Sequence, residues 1–306
     1  MPPLVSVIIS TRNRLPLLRQ ALASVLAQTL PSEHIEILVF DDGSSDGTSL
    51  AVASEFPQVN LLSGCVSRGA SLRKNELIQQ SQGQFVAVLD DDDLWEPTFL
   101  ARQIQALQNN PEAALSFCGY SYLNRGWSRP HLRPGMNYSH LLDFLICECF
   151  IHAMSLVVCR RQAALEAGPF DSQLSIIQDL DWYVRLLEQG PFVYLPEKLA
   201  RVRIHSSNLT QSQERWIREE LSWLSARGGS RRQRAYRYLF HCKRAGQRGD
   251  PWLAARCLFE SLCLHPQTSV AVSWRKWRQK PNLEKELSEL KQVGLKIEGQ
   301  SKTSVW

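Results

Sequence analysis

Asp90-Asp91-Asp92-Asp93 follows directly on the apolar run at residues 85–89. Like charges repel by about 1 kcal/mol per neighbouring pair even at the dielectric of water, so a buried strand ending in them calls for a counter-charge. A divalent cation is one source. Mg2+ and Mn2+ favour hard oxygen ligands and combine one or two carboxylates with phosphate oxygens, which points to a phosphate-bearing substrate. A solvated acidic loop, or a cap at Asp92 or Asp93 ahead of Trp95, is the plainer alternative. Two further polar segments stand in the same relation to apolar runs: Ser10-Thr11-Arg12-Asn13-Arg14 and Asp41-Asp42-Gly43-Ser44.

The elements that must position these residues are legible around them. Apolar runs predict strands at 5–9, 35–40, 59–62 and 85–89, separated by helices over 15–28, 48–55 and 71–80, with turn and N-cap chemistry at 43–48. A helix over 98–108, an apolar segment at 113–117, a loop at 125–134, a strand at 155–159 and a helix over 181–189 continue the chain. Strands alternating with helices imply α/β layers around a largely parallel sheet. Ligands of such sheets bind beyond the carboxyl ends of the strands, so the three polar segments outline one cleft.

Composition sets the frame. The chain has 306 residues, 44% hydrophobic and 21% charged, which excludes collagen-like and wholly disordered readings. Its charge divides sharply: residues 1–210 hold 16 basic and 21 acidic side chains, net −5, and residues 211–306 hold 19 and 9, net +10. A domain boundary is expected near 210, with 211–306 a basic helical region. Trp216, Ile217, Leu221 and Leu224 mark one helix, residues 236–264 a longer set interrupted at Gly249-Asp250-Pro251, and Leu283, Leu287 and Leu290 a last one. The eight cysteines, Cys147 and Cys149 among them, form neither a zinc pair nor a disulfide framework, and free thiols in a reducing cytoplasm are expected. No run of about 18 apolar residues and no basic leader is visible, so secretion and membrane spanning are not expected. The segment 273–280 interleaves Trp274 and Trp277 with Arg and Lys, which suits an anionic membrane surface, or equally a Trp stripe packed on the first domain. Nucleic acid is not an expected partner, since no reader motif accompanies the charge.

Residues 5–14, 40–48 and 85–93 together resemble the successive signatures of a family 2 glycosyltransferase with the GT-A fold, over about the first 210 residues. The resemblance implies a Rossmann-like, mostly parallel sheet flanked by helices, with the C-terminal helices as an appendage. It implies an inverting transfer of sugar from a nucleotide-diphosphate donor to a saccharide or lipid-linked acceptor, in cell-surface polysaccharide or glycoconjugate synthesis, with Mn2+ or Mg2+. Asp41 and Asp42 match the base- and ribose-binding pair, whose oxygens suit a UDP- or dTDP-sugar. Thr11, Asn13, Asp90 and Asp91 join the expected donor site. Lys74, beside Asn75, stands where the family places Arg, so the cation is kept and the bidentate fork lost. The metal motif sets Asp90 and Asp92 on its main carboxylates, with the register open by one residue; Asp92 is the expected ligand. Residues 168–171 and 178–185 are similar to the segment that carries the catalytic base, which gives that role to Asp179, although Gln178 replaces the usual Glu and Arg12 the usual Tyr. A helix N-terminal pair at Asp179 and Asp181, offsetting the macrodipole, is the structural alternative. Residues 203–208 resemble a segment that brings a histidine to the diphosphate or metal, making His205 a second expected ligand. His152 and Trp182 are weaker candidates for the acceptor face.

Two other functions compete. A non-catalytic nucleotide-sugar-binding scaffold would account for Gln178, Arg12 and Lys74. A sugar-1-phosphate nucleotidyltransferase would want a glycine-rich loop after the first strand, and residues 10–14 contain no glycine. The expected location is cytoplasmic, free or peripheral at the inner face of the membrane.

Overall fold

The computed structural model describes residues 2–123, 151–204, 213–266 and 296–297. Strands β1 (Val5–Thr11), β2 (Ile35–Asp41), β3 (Val59–Ser63) and β4 (Phe85–Val88) run parallel in the spatial order β3-β2-β1-β4. Helices α1 (Leu15–Leu26), α2 (Thr48–Glu55) and α3 (Ala70–Gln80) connect them. Val5, Val7, Ile8 and Ile9 are wholly buried, and Ser6 between them is buried too, which is why β1 reads as an apolar run broken only at Ser6: a parallel strand is covered on both faces. Helix α1 carries Pro16 in its first turn, where the missing N–H has no intrahelical partner to lose. It turns Leu18, Ala21, Leu22 and Val25 inward at helical spacing.

The second half of the sheet is mixed. It holds β5 (Leu94–Trp95), β6 (Leu115–Tyr122), β7 (Val157–Arg160) and β8 (Phe192–Val202), with helices α4 (Phe99–Asn109), α5 (Arg161–Glu166) and α6 (Gln178–Leu187). Strand β7 is antiparallel to β4 and β6, β8 is parallel to β6, and β5 is antiparallel to β8, completing the order β3-β2-β1-β4-β7-β6-β8-β5. A short β9 (Lys296–Ile297) also pairs with β8. The pairing of β6 with β8 slips so that Cys118 faces Leu195 while Gly119 faces Lys198, leaving Pro196, which has no N–H for the ladder, outside the register. A Cβ on Gly119 would lie 2.8 Å from the carbonyl oxygens of both Pro196 and Glu197, so the close approach requires glycine. Helix α6 begins three residues ahead of the expected start, which brings Asp179 into its first turn.

Three helices follow: α7 (Gln213–Ala226), α8 (Arg231–Gln247) and α9 (Pro251–Leu264). Ser230 and Gln233 form a capping box on α8, and Asp250 Oδ1 accepts the Leu253 N–H at 3.0 Å to cap α9. Trp223 and Leu224 of α7 enter the same buried core as the sheet, with Trp216 packed at its edge. The boundary expected near 210, the loop at 125–134, Cys147, Cys149, the 273–280 segment and the helix around 283–290 lie outside the described residues. The described cysteines are free thiols. No described helix is long and apolar enough to cross a membrane.

Candidate active site

β1 lies between β2 and β4, so the carboxyl ends of all three open side by side. Thr11 ends β1 and donates its hydroxyl to Asp91 Oδ2 at 2.7 Å. Asn13 sits at φ +52°, in the left-handed region that Asn tolerates. Its N–H reaches Ser44 Oγ at 2.8 Å and its Oδ1 accepts the Ser45 N–H at 2.7 Å, so the loop after β1 is fastened to the loop after β2. Asp41 is buried and accepts from the Ser44 N–H at 2.9 Å and from the Ser49 hydroxyl. Asp42 is buried too, and accepts from Ser67 Oγ at 2.6 Å, from the N–H groups of Arg68 and Gly69 at 2.9 Å each, and from Arg73 Nε at 2.6 Å. Burial alone would raise its pKa; these donors overcome that and hold it at about 2. Arg73 lies over the Phe40 ring, 4.2 Å from its centroid.

The acidic run alternates. Asp91 and Asp93 are buried, while the side chains of Asp90 and Asp92 are 34% and 14% exposed. Arg14 bridges Asp91 at 3.0 Å and Asp92 at 3.1 Å, and Lys74 Nζ lies 2.8 Å from Asp90 Oδ1. Asp93 accepts from Ser155 Oγ at 2.7 Å and the Arg203 N–H at 2.8 Å, and burial holds its carboxyl well above the usual carboxylate range. The counter-charge that the run calls for is therefore supplied in good part by Arg14 and Lys74. Asp90 and Asp92, the less buried carboxylates of the run, offer the hard oxygens that a divalent cation takes, and each is already paired with a basic side chain. Among the described residues no three His, Cys, Asp or Glu side chains converge as a ready-made cage. His205 lies outside the described residues.

Asp179, in the first turn of α6, interacts electrostatically with Lys74 and Asp90. Burial raises its carboxyl to about 6; the Lys74 ammonium pulls it down, and Asp90 pushes it up, so the three groups share one field. The N-terminus of its helix is held by α7: Glu219 Oε1 accepts the N–H groups of Ser175, Ile176 and Ile177 at 2.9, 2.7 and 3.0 Å. Gln178 accepts from the Ser71 hydroxyl of α3. Asp181 faces away from this field, bonded to Trp223 Nε1 at 2.7 Å, Arg227 at 2.7 Å and Arg185 at 2.8 Å; against its burial these donors lower its pKa. Trp182 is fully buried, its ring 4.6 Å from Phe170, as a core residue. His152 is exposed, edge-on to Tyr120 at 5.9 Å.

Residues 6–166, which include all three polar strand ends, match the family described as Glycosyl transferase family 2. The chain belongs to this family. Among curated relatives, the glycosyltransferase is similar to TuaG of Bacillus subtilis (strain 168), named for teichuronic acid biosynthesis, at 27% identity over 72% of this chain and 86% of that protein. It is similar to WfgD of Escherichia coli, a UDP-Glc:alpha-D-GlcNAc-diphosphoundecaprenol beta-1,3-glucosyltransferase, at 33% identity over 40% of this chain and 47% of WfgD. Among solved structures, S. aureus TarS 1-349 matches with a TM-score of 0.63 at 17% identity, over 87% of this chain and 82% of that one. The match spans 39% of a longer TarS chain. Mannosyltransferase PcManGT from Pyrobaculum calidifontis, in complex with GDP-Man and Mn2+, matches with a TM-score of 0.56 at 19% identity, over 94% of this chain and 79% of that one. These likenesses show the GT-A fold.

Two residues at the strand ends, and one that anchors α6, were not among the expected set. Arg14 stands inside the first motif, and its charge beside the acidic run was a usable signal. Arg73 precedes Lys74 on α3 and faces Asp42, 31 residues back. Glu219 acts from an element beyond the motif region, and nothing in its spacing points to α6.

Proposed function

We propose that this enzyme is an inverting, metal-dependent glycosyltransferase that moves a sugar from a nucleotide-diphosphate donor, a UDP- or dTDP-sugar, to an acceptor hydroxyl in cell-surface polysaccharide or glycoconjugate synthesis. The observation that carries this reading is the shared field of Asp179, Lys74 and Asp90, in which a carboxyl held at about 6 by burial faces the acidic end of β4. Asp41, Asp42, Thr11 and Asn13 shape the nucleotide end. The diphosphoundecaprenol-linked sugar in the name of WfgD, and the teichuronic acid biosynthesis in that of TuaG, support a saccharide or lipid-linked acceptor. A lipid-linked acceptor places the enzyme peripherally at a membrane, with the basic C-terminal region as the contact.

Asp179 is the base. A carboxylate ionised above about pH 6 accepts the acceptor hydroxyl proton as its oxygen attacks the anomeric carbon, while the bond from that carbon to the diphosphate oxygen breaks on the opposite side. Lys74, 2.8 Å from Asp90, favours the ionised form of Asp179 and would offer positive charge to the leaving diphosphate. Asp92 and Asp90 would hold Mn2+ or Mg2+, with His205 as a further ligand; the cation, when bound, offsets charge on the diphosphate as a Lewis acid. A panel of nucleotide sugars with Mn2+, read by donor hydrolysis and by protection from thermal unfolding, tests the reading. Turnover of one UDP- or dTDP-sugar is expected, with loss of turnover in EDTA. Binding without turnover across the panel would instead support the scaffold.

A further inference from the structure

Four large apolar side chains stand exposed on α9: Trp252 at 85%, Phe259 at 65%, Leu258 at 38% and Leu262 at 37%. At about 100° per residue they fall in one stripe roughly 120° wide, while Cys257 and Ser261 are buried on the face toward α8. The stripe contains no acid. Beside it, between α7 and α9, lies a cavity of about 530 Å³ bordered by Arg218, Arg256, Ser222, Ser225 and Tyr238, with Glu214 3.8 Å from Arg256. The whole of residues 211–306 carries 19 basic and 9 acidic side chains.

We propose that the outward face of α9 is a docking surface for an anionic lipid membrane, with Trp252, Phe259, Leu258 and Leu262 seated among the upper acyl chains and Arg256 and Arg218 at the phosphates. Charge decides among the occupants. A second copy would bring one net-positive region against another, whereas an apolar stripe bordered by guanidinium groups complements lipid phosphates over an apolar layer. A convex helix face also lies flat on a surface without needing a groove. The surface rests on the peripheral contact proposed above and assigns it to particular residues.

Flotation of the full chain with vesicles of phosphatidylcholine alone, or with phosphatidylglycerol added, tests it, alongside the variants W252S/F259S/L262S and R218E/R256E. The unsubstituted chain floats with the anionic vesicles, the serine variant binds about tenfold less or weaker still, and the charge-reversed variant loses the preference for phosphatidylglycerol. Both variants keep their melting temperature and donor hydrolysis, because every substituted side chain is exposed and none is among the residues at the strand ends or in the anchor of α6. If the serine variant floats as well as the unsubstituted chain, the enzyme meets the membrane through another surface and this assignment is overturned while the peripheral contact stands. If the unsubstituted chain does not float, both are overturned. Light scattering that shows a dimer converted to monomer by the serine substitutions would make the face an interface between copies, and would also overturn the proposal.

Discussion

Lys74 is the residue on which the electrostatics of the cleft turn. It is buried and paired with Asp90, and it favours the ionised form of Asp179. Lys74→Met removes that pull, so the acid limb of the transfer rate moves to higher pH, and the transfer rate at pH 7 falls by roughly ten- to a hundredfold; a pH–rate profile of the variant reads both. Asp179 itself costs stability when ionised. Its pKa is raised on folding from 3.8 to about 6, so its contribution is fully present below about pH 4 and is lost as the pH rises through 6. Asp179→Asn escapes that loss, and its melting temperature relative to the parent is expected to rise between pH 4.5 and 7.5. A difference that stays constant with pH would mean that the carboxyl is not held above its ordinary value.

At the scale of elements, the cleft depends on how α6 is anchored. Glu219 accepts three N–H groups in the turn before α6, and Trp223 and Arg227 of α7 hold Asp181 one turn further on. Glu219→Ala is expected to lower stability by about 1–3 kcal/mol and to reduce kcat while leaving the donor KM within about twofold, since it loosens the helix that carries Asp179, the proposed base, and not the loops after β1 and β2. Thermal unfolding together with steady-state kinetics checks this. Leu22→Ala, in the inward face of α1, is expected to cost about 2–5 kcal/mol without a specific effect on KM. The strands that end in the polar segments were legible because β1, β2 and β4 are largely buried and read as apolar runs, broken only at Ser6 in β1 and Glu36 in β2. Strand β8 was not, because Pro196 and Glu197 interrupt its pattern and only the slip against Gly119 accommodates them. The alternation of Asp90 to Asp93 was equally hidden: four identical residues carry no sign of which side chains turn inward. Nor does spacing reveal that Arg73 returns to Asp42 or Glu219 to α6, contacts made by folding across 31 and more than 40 residues.

At the scale of the whole molecule the charge divides along the chain, net −5 over residues 1–210 and net +10 over residues 211–306, and the described helices α7 to α9 follow the sheet. The helices are not a passive tail: α7 shares the core of the sheet and holds the helix on which Asp179 sits. A nucleotide sugar with Mn2+ is expected to raise the melting temperature of the whole chain, by linkage of binding to folding, and EDTA to reverse part of that rise. The central claim is that Asp179 takes the proton from the acceptor. It is tested most directly by measuring kcat for sugar transfer from pH 5 to 8 in the parent enzyme and in Asp179→Asn at saturating donor. The parent rate should climb through an apparent pKa near 6, and the variant should lose at least about a hundredfold of the rate together with that titration. A variant that transfers at the parental rate, or that keeps the parental pH profile, would contradict the account.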